Sequence, residues 1–121
     1  MLPISVNLQN KKCIVIGGGK VAARRIKTLL AEGANVTVIS PELLPVLMIL
    51  AENEHIKWLK RPFDDGDCLD AFLVIAATNR KAVNERVAYD CHQNQLVNIV
   101  DNPEKSNFYF PAVGRKGLLS I

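Results

Sequence analysis

The chain lacks the features that mark membrane-spanning and secreted proteins. None of its apolar runs approaches the ~18 residues that a membrane span needs. Pro3 and Asn7 stand where a signal peptide would have an apolar segment. Its three cysteines, Cys13, Cys68 and Cys91, are too scattered for a disulfide framework or a metal clip, so we predict free thiols. We therefore expect a cytoplasmic protein that does not associate with membranes.

Charge excess, aromatic residues and metal-ligand clusters are also scarce. The 15 Lys and Arg residues exceed the 12 Asp and Glu residues by only 3, and 6% of residues are aromatic. The basic residues form no stripe with aromatics, so we expect no nucleic-acid partner. His55 and His92 belong to no cluster with ligand spacing, so we expect no metal site.

What the chain does have is an alternation of short apolar runs and helical patterns. With 49% hydrophobic residues it has enough apolar side chains for one packed domain. The apolar runs predict strands at Cys13–Ile16, Val36–Ile39, Ile56–Leu59, Phe72–Ala76 and Leu96–Val100. Helices are predicted from the glycines after Ile16 to Gly33, from Pro41 through Leu50, and from about Arg80 to Gln93. This order predicts a doubly wound parallel sheet.

Shorter features complete the prediction. The acidic stretch Asp64–Asp70 has room for one helical turn, whereas Phe108–Pro111 and Leu118–Ile121 have extended character. We predict one dinucleotide-binding domain over residues 1–113. Residues 114–121 would then begin a truncated or disordered C-terminal segment.

The first predicted strand runs directly into a glycine motif. Gly17-Gly18-Gly19-Lys20-Val21-Ala22 matches G-x-G-x-x-[G/A] between a strand and a helix, which is typical of Rossmann-like NAD-binding domains. Gly17 would allow the tight turn, Gly19 the close approach of a pyrophosphate, and Ala22 close packing of the helix. Lys20 and Val21 begin the helix whose N–H groups face the phosphates. A tight turn without a ligand is the alternative.

The end of the second strand bears on the choice between NAD and NADP. Ser40 occupies the place where NAD sites usually have a ribose-binding Asp or Glu, and Pro41 and Glu42 follow it. Ser40 either bonds the ribose or caps a helix beginning at Pro41. Since no arginine follows to hold a 2′-phosphate, the sequence favours NAD.

Polar residues follow the fourth and fifth predicted strands. Thr78 or Asn79 is suited to cap the next helix, and the backbone beside Thr78 can also line the nicotinamide half of the cofactor. Asp101 precedes Asn-Pro, which by itself indicates a turn residue.

Taken together, these motifs resemble those of the NAD-dependent precorrin-2 dehydrogenases, which form the dehydrogenase and chelatase module of siroheme synthases. The resemblance extends over nearly the whole chain. It is carried by Lys12–Arg25, Ala76–Asn79, Val83–Val87, Leu96–Pro103 and Phe108–Ala112.

The resemblance implies NAD-dependent oxidation of precorrin-2 to sirohydrochlorin, with ferrochelatase activity in some members. It assigns catalysis to Asp101, and a carboxylate there can act as the base. Arg80, Arg115 and Lys116 are candidates to receive the substrate's carboxylates. Family members dimerise through a helical region that is absent from this chain. The resemblance therefore implies a homodimer only for the full-length protein. The alternative is a non-catalytic, dinucleotide-sensing regulatory domain.

Overall fold

The computed structural model describes residues 1–91 and 94–111 and contains one sheet of five parallel strands. The strands are β1 (Lys12–Ile16), β2 (Asn35–Ile39), β3 (Lys57–Leu59), β4 (Leu73–Ala76) and β5 (Leu96–Ile99). Three α-helices connect them, α1 (Lys20–Ala31), α2 (Pro45–Glu52) and α3 (Lys81–Asp90), and a short 3-10 helix (Pro103–Lys105) follows β5. No helix in this part of the chain is long and apolar enough to cross a membrane.

The strand order β3-β2-β1-β4-β5 confirms the predicted doubly wound, Rossmann-like sheet. The chain first winds outward from β1 to β3 and then returns to place β4 on the other side of β1. Ile16, at the end of β1, pairs with Ile39 of β2 and Ala76 of β4. The direction of winding therefore reverses between β1 and β4, where doubly wound sheets bind their ligands.

Both faces of the sheet are covered, which explains the unbroken apolar runs of its central strands. On one face α1 and α2 pack their buried side chains, such as Ile26 and Leu47, against Val15, Val38 and Ile75. On the other face α3 and the segment 61–71 cover a second cluster. Its buried isoleucines and valines are Ile14, Ile16, Ile39, Val74, Val87, Val97 and Ile99. Val83, Val87 and Ala88 of α3, and Cys91 directly after it, pack on this face.

The beginnings of two helices differ from the predictions. α2 begins at Pro45 rather than Pro41. Either proline could occupy the first helical position without losing a hydrogen bond. Residues 40–44 instead form a loop that is tied to the glycine turn by a hydrogen bond from Leu44 N to Gly18 O (2.9 Å). The N-cap of α3 is Arg80 rather than Thr78 or Asn79.

Other short segments are also irregular. The acidic stretch forms successive turns, such as Asp67 N to Asp64 O (3.1 Å), but no helix. Phe108–Pro111 joins no strand of the described sheet, although Phe108 and Phe110 pack against the α1 side of the core. His92, Arg115, Lys116 and the extended segment expected at Leu118–Ile121 lie outside the described residues, as does the predicted boundary after residue 113.

Candidate active site

Gly17 closes the turn that follows β1. Its φ of +127° is one that side chains rarely adopt. A Cβ at this position would collide with the Ala77 carbonyl oxygen and lie 2.8 Å from the carbonyl carbon. Gly17 N also donates to Ile39 O at 3.0 Å. The residue is therefore glycine because the ends of three neighbouring strands converge on its backbone.

Gly18 has a packing role that the motif did not reveal. A Cβ on Gly18 would collide with the Glu42 carbonyl oxygen and come within 2.9 Å of Leu43 Cδ2 and 3.0 Å of Ser40 Oγ. The glycine turn and the loop after β2 are thus pressed together. The run of three glycines was the signal for this contact, since the fingerprint itself leaves the middle position free.

Gly19 is different, because its missing side chain leaves space outside the fold. Apart from its chain neighbours and the backbone of its own helix, no described residue comes within 4 Å of the position of a Cβ on Gly19. Its φ of −95° suits any residue. Internal packing therefore does not explain this glycine. A ligand that approaches the backbone closely does explain it.

Gly19 is also the N-cap of α1, and this end of the helix is suited to an anion. Its first turn has no side-chain cap and no acidic residue, and Lys20 and Val21 are exposed. The N–H groups of the first turn have no partner within a helix, and the helix dipole adds a partial positive charge. The described residues therefore fit a pyrophosphate group bound over Gly19.

Ser40 lies at the end of β2, directly beside the glycine turn. It is buried, and its hydroxyl donates to the Glu42 carbonyl at 2.7 Å. Its own carbonyl accepts from Trp58 Nε1 at 2.9 Å. The interpretation of Ser40 as a helix N-cap is therefore wrong, because the helix begins later. Pro41 and Glu42 are exposed at the same edge.

Thr78 follows β4 on the other side of the glycine turn. The expected capping role is again wrong, because Thr78 bonds a residue inside α3 rather than beginning the helix. Its N–H and hydroxyl donate to Asn84 Oδ1 at 3.1 and 2.6 Å, and its carbonyl accepts from Asn84 Nδ2 at 3.1 Å. No pattern in the sequence indicates this role of Asn84, because such a contact depends on how α3 packs.

Asp101 lies two residues beyond β5 and is exposed. It stands in a turn closed by Asn102 N to Ile99 O (3.0 Å) and supported by Ser106, whose hydroxyl donates to Asn102 O at 3.1 Å. Two strand spacings of ~4.8 Å separate the ends of β1 and β5.

One edge of the sheet thus collects every predicted site residue that the structure describes. They are Gly17, Gly19, Lys20 and Val21 after β1, Ser40 and Pro41 after β2, Thr78 and Arg80 after β4, and Asp101 after β5.

Fold and site together define a dinucleotide-binding domain of the Rossmann type. A family described as "Putative NAD(P)-binding" matches residues 4–112. The chain is 41% identical to the precorrin-2 dehydrogenase of Bacillus subtilis (strain 168) over 121 residues, which are 100% of this chain and 75% of that protein. It belongs to the precorrin-2 dehydrogenase family, and NAD is its cofactor.

Two further comparisons agree with this membership. The siroheme synthase of Psychromonas ingrahamii is 43% identical over 113 residues, which cover 93% of this chain but 24% of that protein. The solved structure of SirC, a precorrin-2 dehydrogenase, superimposes with a TM-score of 0.85 and 31% identity over 93% of this chain and 55% of SirC. The resemblance predicted from the motifs is confirmed, and the chain spans only part of each relative.

Proposed function

We propose that this chain performs the NAD-dependent oxidation of precorrin-2 to sirohydrochlorin, a reaction of siroheme synthesis. The proposal rests on the placement of the open glycine turn and Asp101 at one edge of the sheet, with Thr78 just beyond β4, the strand between them. A cofactor bound over the turn and a substrate beside Asp101 would then be neighbours.

In the proposed cofactor site the glycine turn lies between the ribose side at β2 and the nicotinamide side at β4. Gly19 and the first N–H groups of α1, at Lys20 and Val21, would hold the pyrophosphate. Ser40 and Pro41 would contact the ribose on the β2 side, and the backbone at Thr78 would line the nicotinamide on the β4 side. Bound NAD would supply the hydride acceptor for the oxidation.

Asp101 would provide the proton acceptor. Removal of a hydride from a reduced tetrapyrrole leaves a cation that becomes aromatic only by losing a proton, and a carboxylate at the reacting carbon can take it. Arg80, which is exposed at the same edge, would pair with a substrate carboxylate, as would Arg115 and Lys116. In a member that also inserts ferrous iron, Asp101 could accept the pyrrole protons that the metal displaces.

The proposal includes a homodimer in the full-length protein, acting in the cytoplasm and without nucleic acid. Leu2, Ile4 and Val6 are exposed apolar side chains at alternate positions, which a second subunit could bury. The three cysteines are free thiols, as predicted, and free thiols suit a reducing compartment.

Direct titration of NAD tests the cofactor site. Gly19→Val should weaken NAD binding at least tenfold, or about 1.4 kcal/mol, because the added methyl groups enter the space over the turn. Its φ of −95° is suitable for valine, so the variant should fold. Ala31→Val, at the exposed far end of the same helix, is the matched control and should bind NAD normally. Unchanged affinity in Gly19→Val would contradict the proposed site.

A further inference from the structure

A single buried side chain holds the backbone that follows β4. Asn84 is 0% exposed and lies in the first turns of α3. Its amide oxygen accepts both the N–H and the hydroxyl of Thr78, and its NH₂ group donates to the Thr78 carbonyl. All three bonds of the amide therefore go to one residue.

The match between the two groups is specific to an amide. The backbone of Thr78 offers one donor, its N–H, and one acceptor, its carbonyl. The Asn84 amide has the complementary groups, an oxygen that accepts and an NH₂ that donates. A carboxylate of the same shape could accept the N–H but would place an oxygen against the Thr78 carbonyl. Because the Asn84 side chain is fully buried, such a mismatch is costly.

The clamped backbone forms one wall of the glycine turn. Ala77 N donates to Ile16 O at 2.8 Å, and a Cβ on Gly17 would lie 3.2 Å from Thr78 N. The atom that Asn84 holds is thus close to the turn over which the pyrophosphate would bind. A shift of Thr78 would change the shape of the site on its nicotinamide side.

We propose that Asn84 is a positioning residue for the dinucleotide: it fixes Thr78 so that the end of β4 presents a constant surface to the nicotinamide half. The inference rests on the proposed function. Asn84 acts through Thr78 and touches no ligand, since its side chain is fully buried.

The test compares Asn84→Asp with Val87→Ala by NAD titration and thermal unfolding. At pH 8 the Asn84→Asp carboxylate should lower NAD affinity about tenfold, equivalent to about 1.4 kcal/mol. Burial raises the pKa of a carboxyl group, and the protonated form can donate to the Thr78 carbonyl again. Affinity should therefore recover as the pH is lowered to 6. Thr78 itself does not titrate.

Val87→Ala is the matched control for a merely structural effect. Val87 is also fully buried, one turn further along α3, and its truncation should lower the melting temperature while leaving NAD affinity within twofold at both pH values. Asn84→Gln keeps the amide but adds one methylene to the side chain, which displaces the amide from Thr78. This variant should weaken NAD binding at both pH values.

Several results would overturn the inference. Asn84→Asp with a lowered melting temperature but wild-type NAD affinity at pH 8 would make Asn84 a stability residue only. So would failure of both Asn84 variants to fold while Val87→Ala folds. Absence of NAD binding by the unaltered protein would instead contradict the proposed function itself, so the two failures are distinguishable.

Discussion

The guanidinium carbon of Arg25 lies 4.2 Å from the centre of the Phe110 ring. Arg25 belongs to the helix that begins at the glycine turn, and Phe110 to the segment that follows Asp101. Phe110 also contacts Phe108 edge to face, with ring centres 5.4 Å apart. The helix that begins at the glycine turn is therefore in direct contact with the segment that follows Asp101.

Loss of this contact should cost stability. Arg25 is half-buried, and this burial, followed by the neighbouring Arg24, lowers the pKa of its guanidinium. A cation over an aromatic face contributes about 1 kcal/mol in such a setting. Arg25→Gln should lower the free energy of unfolding by about that amount. Arg24→Gln, the same change at an exposed neighbour, should have little effect in the same urea titration. Equal effects would contradict a specific role of the ring contact.

Gly17→Ala should destabilise the fold much more than Gly19→Ala. At Gly17 a Cβ meets both a positive φ and the Ala77 backbone, and the two penalties together should cost about 2–4 kcal/mol. At Gly19 the space is open and the loss should stay below about 1 kcal/mol, the cost of alanine at an N-cap. Chemical denaturation of both variants measures the difference. Similar losses would show that the turn tolerates a side chain at Gly17.

NAD should bind about tenfold more tightly than NADP, a difference of ~1.4 kcal/mol. Glu42 is exposed beside Ser40 and would repel a 2′-phosphate. Arg61, which follows the adjacent strand β3, is held by Asp67 through bonds of 2.8 and 2.9 Å. Parallel titrations of the two dinucleotides give the ratio, and Glu42→Gln should reduce it. Tighter binding of NADP would contradict a selective role of the end of β2.

The three thiols should differ in reactivity. A hydrogen bond from Cys68 lowers the pKa of the half-buried Cys91, and the same bond together with burial raises that of Cys68. Burial raises the pKa of Cys13 to about 11. Since the thiolate is the reactive form, iodoacetamide at pH 8 should modify Cys91 first, and more slowly as the pH falls. Peptide mass spectrometry identifies the site, and earlier modification of Cys13 would contradict the assignment.

Much of the fold could be predicted because its signals are local. Phe72–Ala76 is an unbroken apolar run, and the structure has β4 within it because both faces of the sheet are covered. The glycine motif likewise needs only a strand before it and a helix after it. From these features the sequence predicts the sheet and the first βα unit, and the structure confirms both.

What could not be predicted depends on contacts between distant parts of the chain. Two prolines, Pro41 and Pro45, are equally suited to begin a helix, and the choice follows from the loop that packs on Gly18. Threonine is a common N-cap residue, but Thr78 is instead hydrogen-bonded to the buried amide of Asn84. No pattern in the sequence specifies which proline begins the helix, or that Asn84 binds Thr78.

The most direct test of the proposed reaction is the rate of NADH formation with precorrin-2 and saturating NAD. Asp101→Asn preserves size and turn preference but removes the proton acceptor, and Glu104→Gln, an exposed neighbour, is the matched control. We expect Asp101→Asn to bind NAD normally and to lose roughly 10²-fold in rate, the usual contribution of a positioned base. The control should keep the rate of the unaltered protein. A loss below about threefold in Asp101→Asn would contradict the account, because it is far smaller than the loss of a catalytic base produces.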